Sequence, residues 1–458
     1  MCFWYFKEVA LALVVTLVAG AAFAQDESLR IDNPHPRIFL GARRLKLLRR
    51  ERDRQSLRWN QFHLLMAGKA PMPEPGFASA LYYQISGNAD IGKQAVTWAL
   101  GTGATDLRQL ALVFDWCQDL LSDTQSKALA AKIARRMEQT RNDSAVAAVR
   151  ARLLAAAALS GHVPNLPERE MDQIIHHWWE KQIVPALNNG NPVLGRDDTY
   201  ALMEMLHVVR DNFNQDLREA APQFFRDLPT VQILSYYPAT FPAGENDYRI
   251  PCSPRAGGEP DVRRAALSRA AEFSMVAYDS NAPGSQILQG WLLNDHFLLR
   301  GTFGAPYEFM WANPYQPGLS YFQAPLVLHD TLFGRLFVRG SWEESATWLG
   351  SFGGELQIFQ DGGITTLDAH ATAEPLDMGR AMILFGARTN KFKVTAQGTE
   401  PVFVVGLHPR QTYAIEVDDE EMSEEQTDPG GILELDLPHD TEAGVLLREL
   451  TGKEKPRL

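Results

Sequence analysis

The stretch Pro306-Tyr-Glu-Phe-Met-Trp-Ala-Asn-Pro-Tyr-Gln-Pro-Gly318 divides the chain in two. Its prolines and glycine interrupt regular structure, and the hydrophobic period differs on its two sides. Upstream, from about Leu40 to Trp311, apolar residues recur every three to four positions, the spacing of a helix with one buried face. Arg43–Met66, Phe77–Ser86, Ile91–Leu100, Asp106–Leu121, Asp123–Arg141 and Ser144–Leu159 show it, followed by Met171–Leu187, Asp198–Asn212, Asp216–Arg226, Asp261–Tyr278 and Ser285–Leu299. Thr105-Asp106 and Ser122-Asp123 offer N-caps, while Gly161 and Asn188-Asn189-Gly190 offer ends. Short connections between many mid-length helices predict antiparallel pairs, as in a bundle, a solenoid or an α/α toroid. No motif returns at a fixed period, which argues against a regular repeat array.

Downstream the period falls to two. Arg335–Ser341, Ala346–Phe352, Glu355–Gln360, Gly363–Asp368, Ala381–Ala387, Lys391–Ala396, Pro401–Leu407, Gln411–Asp418, Gly431–Leu437 and Ala443–Leu450 read as strands. Short segments parted by Gly, Asp, Asn and Pro turns predict an antiparallel β-sandwich. Helices first and strands afterwards give an α+β chain of two units, 25–318 and 319–458, rather than an alternating α/β fold.

Composition supports a folded chain. It has 458 residues, 45% of them hydrophobic, enough for sizeable cores, and its 3 cysteines exclude a disulfide-dense scaffold. In an oxidising compartment Cys117 and Cys252 are candidates to pair, with two buried thiols as the alternative. The net charge of −12 argues against a general nucleic-acid binder. That charge is unevenly spread: nine bases between Arg37 and Arg58 face only Glu51 and Asp53, whereas eight acids fall between Glu416 and Asp428. The acidic run reads as a solvated hairpin loop, because it lacks the alternate-position ligands and glycine of an EF-hand.

Residues 1–24 read as a secretory signal: Lys7, the apolar run Val9–Ala24, and a small-x-small ending at Ala22-Phe23-Ala24. The run is short for a membrane span, which needs ~20 apolar residues, and no later stretch is long and apolar enough. The expected address is periplasmic or secreted, with an uncleaved anchor as the alternative.

Two strings, Asn33-Pro-His-Pro-Arg-Ile-Phe-Leu40 and Gly334-Arg-Leu-Phe-Val-Arg-Gly-Ser-Trp342, together with the helical-then-β layout, resemble the heparinase II/III-like polysaccharide lyases. The resemblance implies an α/α toroid followed by a β-sandwich. It also implies cleavage of uronate-containing polysaccharide by β-elimination, with a toroid Tyr, a His or Asn, and often a sandwich His. The chain departs from the family where a His-x-His-x-Asp-like string is expected. Gly353-Gly-Glu-Leu-Gln-Ile-Phe-Gln-Asp-Gly-Gly363 holds no histidine, and the nearest is His370.

β-Elimination requires a partner for the uronate carboxylate, a base for the C5 proton and an acid for the departing oxygen. Tyr serves as base only if its pKa falls well below ~10, which a neighbouring cation achieves. The stretch Tyr236-Tyr-Pro-Ala-Thr-Phe-Pro-Ala-Gly-Glu245-Asn246-Asp247-Tyr248-Arg249 reads as a loop after a helix. It nominates Tyr248 as base or acid and Arg249 or Asn246 for the carboxylate, with Glu245 and Tyr237 beside them. Asp197-Asp-Thr-Tyr200-Ala-Leu-Met-Glu204-Met-Leu-His207 places Tyr200, Glu204 and His207 on one helix face. His207 is the acid candidate there; a histidine hydrogen-bonded to Glu204 is the plainer reading. His370 with Asp368 is the sandwich-side candidate, against a simple surface turn.

Glu204 with Glu245 also form the carboxylate pair a glycoside hydrolase would need. A non-catalytic polysaccharide-binding or assembly protein is the third reading, favoured by the missing histidine string. His176 and Glu180 stand at i, i+4 without a third ligand, so no metal is expected. Neither a phosphate loop, a dinucleotide Gly-x-Gly-x-x-Gly nor Gly-x-Ser-x-Gly occurs, and no cofactor is implied.

Overall fold

The structure, a computed structural model, describes residues 29–244, 246–254, 259–295, 297–372, 374–398, 400–438 and 440–450. The expected signal segment, Glu245 and the C-terminal tail lie outside these. Helices come first and sheets afterwards, apart from one two-stranded ribbon within the helical half.

The helical part has two layers that differ in burial. The inner helices are α3 (Pro75–Ser86), α5 (Leu107–Trp116), α7 (Val146–Leu159), α10 (Thr199–Phe213), α12 (Val262–Tyr278) and α14 (Gly301–Trp311). Each packs on the next, and α14 returns to α3, so the six close into a ring. Every residue of α5 is buried, as is α10 from Thr199 to Val209. A helix enclosed on all sides needs no polar face, which suits an inner wall. Outside lie α1 (Ala42–Asp53), α2 (Leu57–Ala67), α4 (Ala89–Leu100), α6 (Asp123–Gln139), α8 (Leu166–Asp172), α9 (Val184–Asn188), α11 (Pro222–Leu234) and α13 (Pro283–Asn294). These bury one stripe each; α1 buries only Leu48 and Glu51. Asp106 and Ser122 cap α5 and α6 as their sequence predicts.

Several elements differ from the expectation. Arg43–Met66 is two helices, because Gln55 turns left-handed and Ser56 caps α2 by accepting from the Trp59 amide. Residues 166–188 form one continuous helical run, wide-turned over Gln173–Ile183 between α8 and α9. Asp216–Arg226 splits into a 3-10 turn and α11. The stretch 236–249 is not a loop but a two-stranded ribbon, β1 (Tyr236–Ala243) with β2 (Asn246–Pro251), set within the helical half.

Among the described residues the β half has three sheets. β3 (Val327–Asp330), β4 (Arg335–Arg339), β5 (Trp348–Phe352), β6 (Glu355–Gln360) and β7 (Gly363–Leu367) form an antiparallel meander. A middle sheet orders as β14 (Leu433–Leu435), β11 (Val402–Val405), β9 (Met382–Phe385) and β8 (Leu376–Asp377). The third runs β10 (Lys391–Thr395), β15 (Glu442–Glu449), β12 (Thr412–Val417) and β13 (Glu420–Gln426).

β9 and β11 pair parallel, unlike the other strands, because the intervening β10 crosses to the outer sheet. Alternate residues of β9 and β11 serve opposite cores: Met382, Leu384, Val402 and Val404 meet the outer sheet. Ile383, Phe385, Phe403 and Val405 meet the meander. Burial on both faces accounts for their unbroken apolar runs.

The acidic run contains strand β13, paired with β12, rather than a free loop. Cys117 and Cys252 are both buried free thiols, so the candidate disulfide is absent. No helix among the described residues is long and apolar enough to cross a membrane.

Candidate functional site

The ribbon and α11 join the helical ring to the meander. Val231, Leu234, Tyr237 and Cys252 from the helical side pack with Phe337, Trp348 and Phe359 from the sheet. The Trp348 Nε1 donates to the Leu234 carbonyl at 2.7 Å, and the Tyr237 hydroxyl donates to Gln357 Oε1 at 2.8 Å.

Among the described residues, two hollows lie near this junction, and only the second reaches the sheet. One, of about 220 Å3, is lined by Arg196, Asp197, Tyr200, Asp261, Arg263, Arg264, Leu267 and Ser268. The other, of about 160 Å3, reaches Gln232, Ser235 and Cys252 and, on the sheet side, Arg335, Phe337 and Phe352. Arg196 and Arg264 line both, so the two hollows adjoin as neighbouring parts of a cleft.

The first hollow sits where α10 and α12 begin. Helix N-termini present unpaired amides and a positive dipole end, so bases there gain nothing from the helix. Three arginines nonetheless gather at it. Arg196 Nε donates to Ser268 Oγ at 2.6 Å, another of its nitrogens pairs with Glu272 at 3.3 Å, and its guanidinium lies 4.2 Å over the Tyr236 ring. Arg264 pairs with Asp197 and donates to the carbonyls of Pro251 and Cys252 at 2.9 and 3.1 Å. Arg263 is exposed, rests 5.4 Å over Phe303, and makes no ion pair among the described residues. Arg263 thus presents to the cleft a positive charge that no carboxylate among the described residues claims.

Tyr200 forms the inner wall and links the cleft to a buried polar cluster. Its hydroxyl donates to Glu204 Oε1 at 2.8 Å and accepts from Trp311 Nε1 at 3.0 Å. Glu204, fully buried, pairs with Arg108 at 2.6 Å and with Arg150. Arg108 also lies 3.5 Å from Glu74, which accepts the Tyr307 hydroxyl. Burial alone would raise the Glu204 carboxyl, but Arg108 and Arg150 outweigh it and hold it below its ordinary range. Burial, reinforced by Glu204, holds the Tyr200 phenol well above its ordinary range. Tyr200 therefore stays protonated near neutrality.

The helix stripe is real in register but divided in partners. His207 reaches α12 instead of Glu204: its Nε2 lies 3.0 Å from the Ser274 carbonyl and its Nδ1 3.2 Å from Arg210. With Nε2 carrying the hydrogen, both ring nitrogens are satisfied. Burial first, then Arg210, hold its pKa well below the ordinary histidine value. Trp311 lies 4.6 Å from its ring.

On the ribbon, Arg249 pairs with Asp295 at 3.0 Å and Glu344 at 3.2 Å and caps the Pro238 carbonyl. Asn246 donates to the Leu298 carbonyl, and Tyr248 packs 5.1 Å from Phe297. Tyr237 is bound to Gln357, and burial pushes its phenol up. None of these four lines either hollow. Glu245 lies outside the described residues. His370 is exposed in a turn whose amide donates to Asp368 at 2.9 Å. His176 pairs with Glu180 at 3.1 Å on the surface while Trp178 and Trp179 face inward.

The structure thus brings Tyr200 to the cleft and places Glu204 just behind it, leaving the ribbon candidates at a separate packing site. Sequence reading missed Arg196, Arg263 and Arg264. The available signal was Asp261-Val-Arg-Arg264, where two bases sit in a first turn that ordinarily favours acids.

No family model matches the chain, and no curated protein matches it. Among solved structures, it is similar to one titled "Glycoside hydrolase", with 10% sequence identity over 82% of this chain and 71% of that one. The TM-score is 0.31, a likeness too slight to carry an argument about this chain.

Proposed function

We propose that this is an exported polysaccharide-processing protein that takes an acidic sugar chain into the arginine-lined cleft on the helical ring, beside its junction with the meander, and cleaves it by β-elimination. The observation that supports this most is the arginine-lined hollow at two helix N-termini, with the protonated phenol of Tyr200 in its wall. A uronate carboxylate there would meet Arg263, beside an α12 N-terminus that Asp261 caps by accepting the Arg264 amide at 2.9 Å. Tyr200 would protonate the departing oxygen once its hydroxyl turns from Glu204, while the carboxylates of Asp197 and Asp261 are the basic groups in the same wall.

Those two carboxylates also favour a second reading, hydrolysis, because a glycosidase works through a carboxylate pair. Glu204 is poorly placed for such a pair, being held between two arginines. One assay separates the readings. Purified protein is incubated with a panel of uronate polysaccharides while unsaturated-uronate absorbance and reducing ends are followed together. Elimination raises both signals, whereas hydrolysis raises reducing ends alone. A panel that yields neither signal removes the catalytic proposal. Under this reading Tyr200→Phe lowers kcat by about 100-fold, the lower range for loss of a general acid, with binding retained. Export is checked by N-terminal sequencing of the released protein, expected to begin at Gln25.

A further inference from the structure

We propose that the outward faces of α1 and α2 dock on an anionic phospholipid surface. In a chain of net charge −12, residues 42–58 hold eight bases against Glu51 and Asp53. Both acids are already engaged, Glu51 by Arg58 at 2.6 Å and Asp53 by Arg52 at 2.7 Å. Arg43, Lys46, Arg50 and Arg54 follow one another at helical spacing along the face of α1 opposite Leu48. All four are exposed, and none forms an ion pair or a side-chain hydrogen bond among the described residues. Arg50 and Arg54 instead flank the ring of Tyr315, at 4.7 and 5.7 Å, and that ring is itself exposed.

A second observation comes from the next helix. α2 turns Trp59, Phe62 and Met66 inward and leaves Leu57 and Leu64, two turns apart, 65% and 69% exposed on its outer side. The rows come nearest in sequence at the α1–α2 turn, where Arg54 stands three residues before Leu57.

The combination selects the partner. A soluble polyanion would answer the arginines but leave both leucines in water. A bilayer interface rich in anionic headgroups answers the bases with phosphate and takes leucines and a tyrosine into the headgroup–acyl boundary. Aromatic rings with one polar end sit well at that depth. The face lies on the outside of the ring, on helices other than those forming the cleft, so docking leaves the cleft free for a sugar chain.

The test is flotation with vesicles of phosphatidylcholine, with and without phosphatidylglycerol, using the protein as the cell processes it and variants sharing the same N-terminus. The wild type should float with the anionic vesicles and stay behind with the neutral ones, and salt should release it. Each of Arg43→Glu, Lys46→Glu and Arg50→Glu should weaken binding about fivefold or more. Leu57→Ser with Leu64→Ser should weaken it several-fold at unchanged charge. Because all five positions are exposed, thermal melting should be unmoved. Equal flotation with both vesicles overturns the proposal. So does anionic-vesicle binding that survives the leucine substitutions and is competed by soluble alginate, since that pattern marks a polyanion site.

Discussion

Burial pushes the Glu308 carboxyl up to about 7, with the Leu299 amide donating to it at 3.2 Å. Its folded pKa exceeds its unfolded value, so the native state holds the extra proton and stability falls as pH rises from about 4.5 through 7. The accumulated loss is about 3 kcal/mol. Glu308→Gln keeps an acceptor for the amide and removes the ionisation. Urea unfolding should find the variant more stable than wild type at pH 8 and nearly equal at pH 5; parallel profiles would refute this account of Glu308. Glu204 works with the opposite sign, its pKa being depressed, so its contribution is present above the unfolded value and lost on acidification through the folded one. Glu204→Ala would leave Arg108 buried without its main partner and should cost about 3–5 kcal/mol in the same measurement. At this scale the sequence disclosed only part of the site. The i, i+4, i+7 spacing put Tyr200, Glu204 and His207 on one face, but their partners come from α5, α7 and α12, which no local pattern names.

Among the elements, α13 is held against the chain that follows α14 by a glycine contact. A Cβ at Gly290 would lie 1.7 Å from the Leu319 carbonyl oxygen, a backbone atom that cannot swing aside. Gly290→Ala should therefore destabilise by about 1–3 kcal/mol, as overpacking does, and denaturant midpoints check it against Gly103→Ala, where a Cβ meets nothing within 4 Å. Equal midpoints for the two variants would contradict the contact. Most helices and strands were legible because capping residues and hydrophobic period agreed. The exceptions have physical reasons. α14 contains Pro306 in its interior, which reads as a breaker until the surrounding burial is known. β13 is acidic because it is an edge strand, where charge blunts unwanted pairing, and that makes it look like loop. The ribbon β1–β2 carries Pro238 and Pro242, which sequence reading takes for loop punctuation.

For the molecule as a whole, the change of period from helical to alternating gave the order of the two halves correctly. The layering was not legible, because it depends on which sheet each strand joins: β10 leaves its neighbours, and the middle sheet becomes buried on both faces. The meander then uses its other face against the helical ring through Phe337, Trp348 and Phe359. Shared apolar burial of this kind couples the halves, so calorimetry should show one cooperative transition, and Trp348→Ala should lower it for helical and β signals alike. Two separated transitions would contradict that coupling. Only the second hollow is a product of the same docking, since β4 and β5 supply Arg335, Phe337 and Phe352 to it, whereas the first is lined by the helical half alone.

The most direct test of an acidic-sugar cleft is titration calorimetry of a uronate oligosaccharide into the wild type and into Arg263→Glu. Arg263 makes no protein ion pair among the described residues, so the reversal should leave melting unchanged. Saturable binding to the wild type, weakened about tenfold or more in the variant, is the predicted result. Wild-type protein that fails to bind the oligosaccharide, or binding that is equal in the two proteins, would contradict the claim.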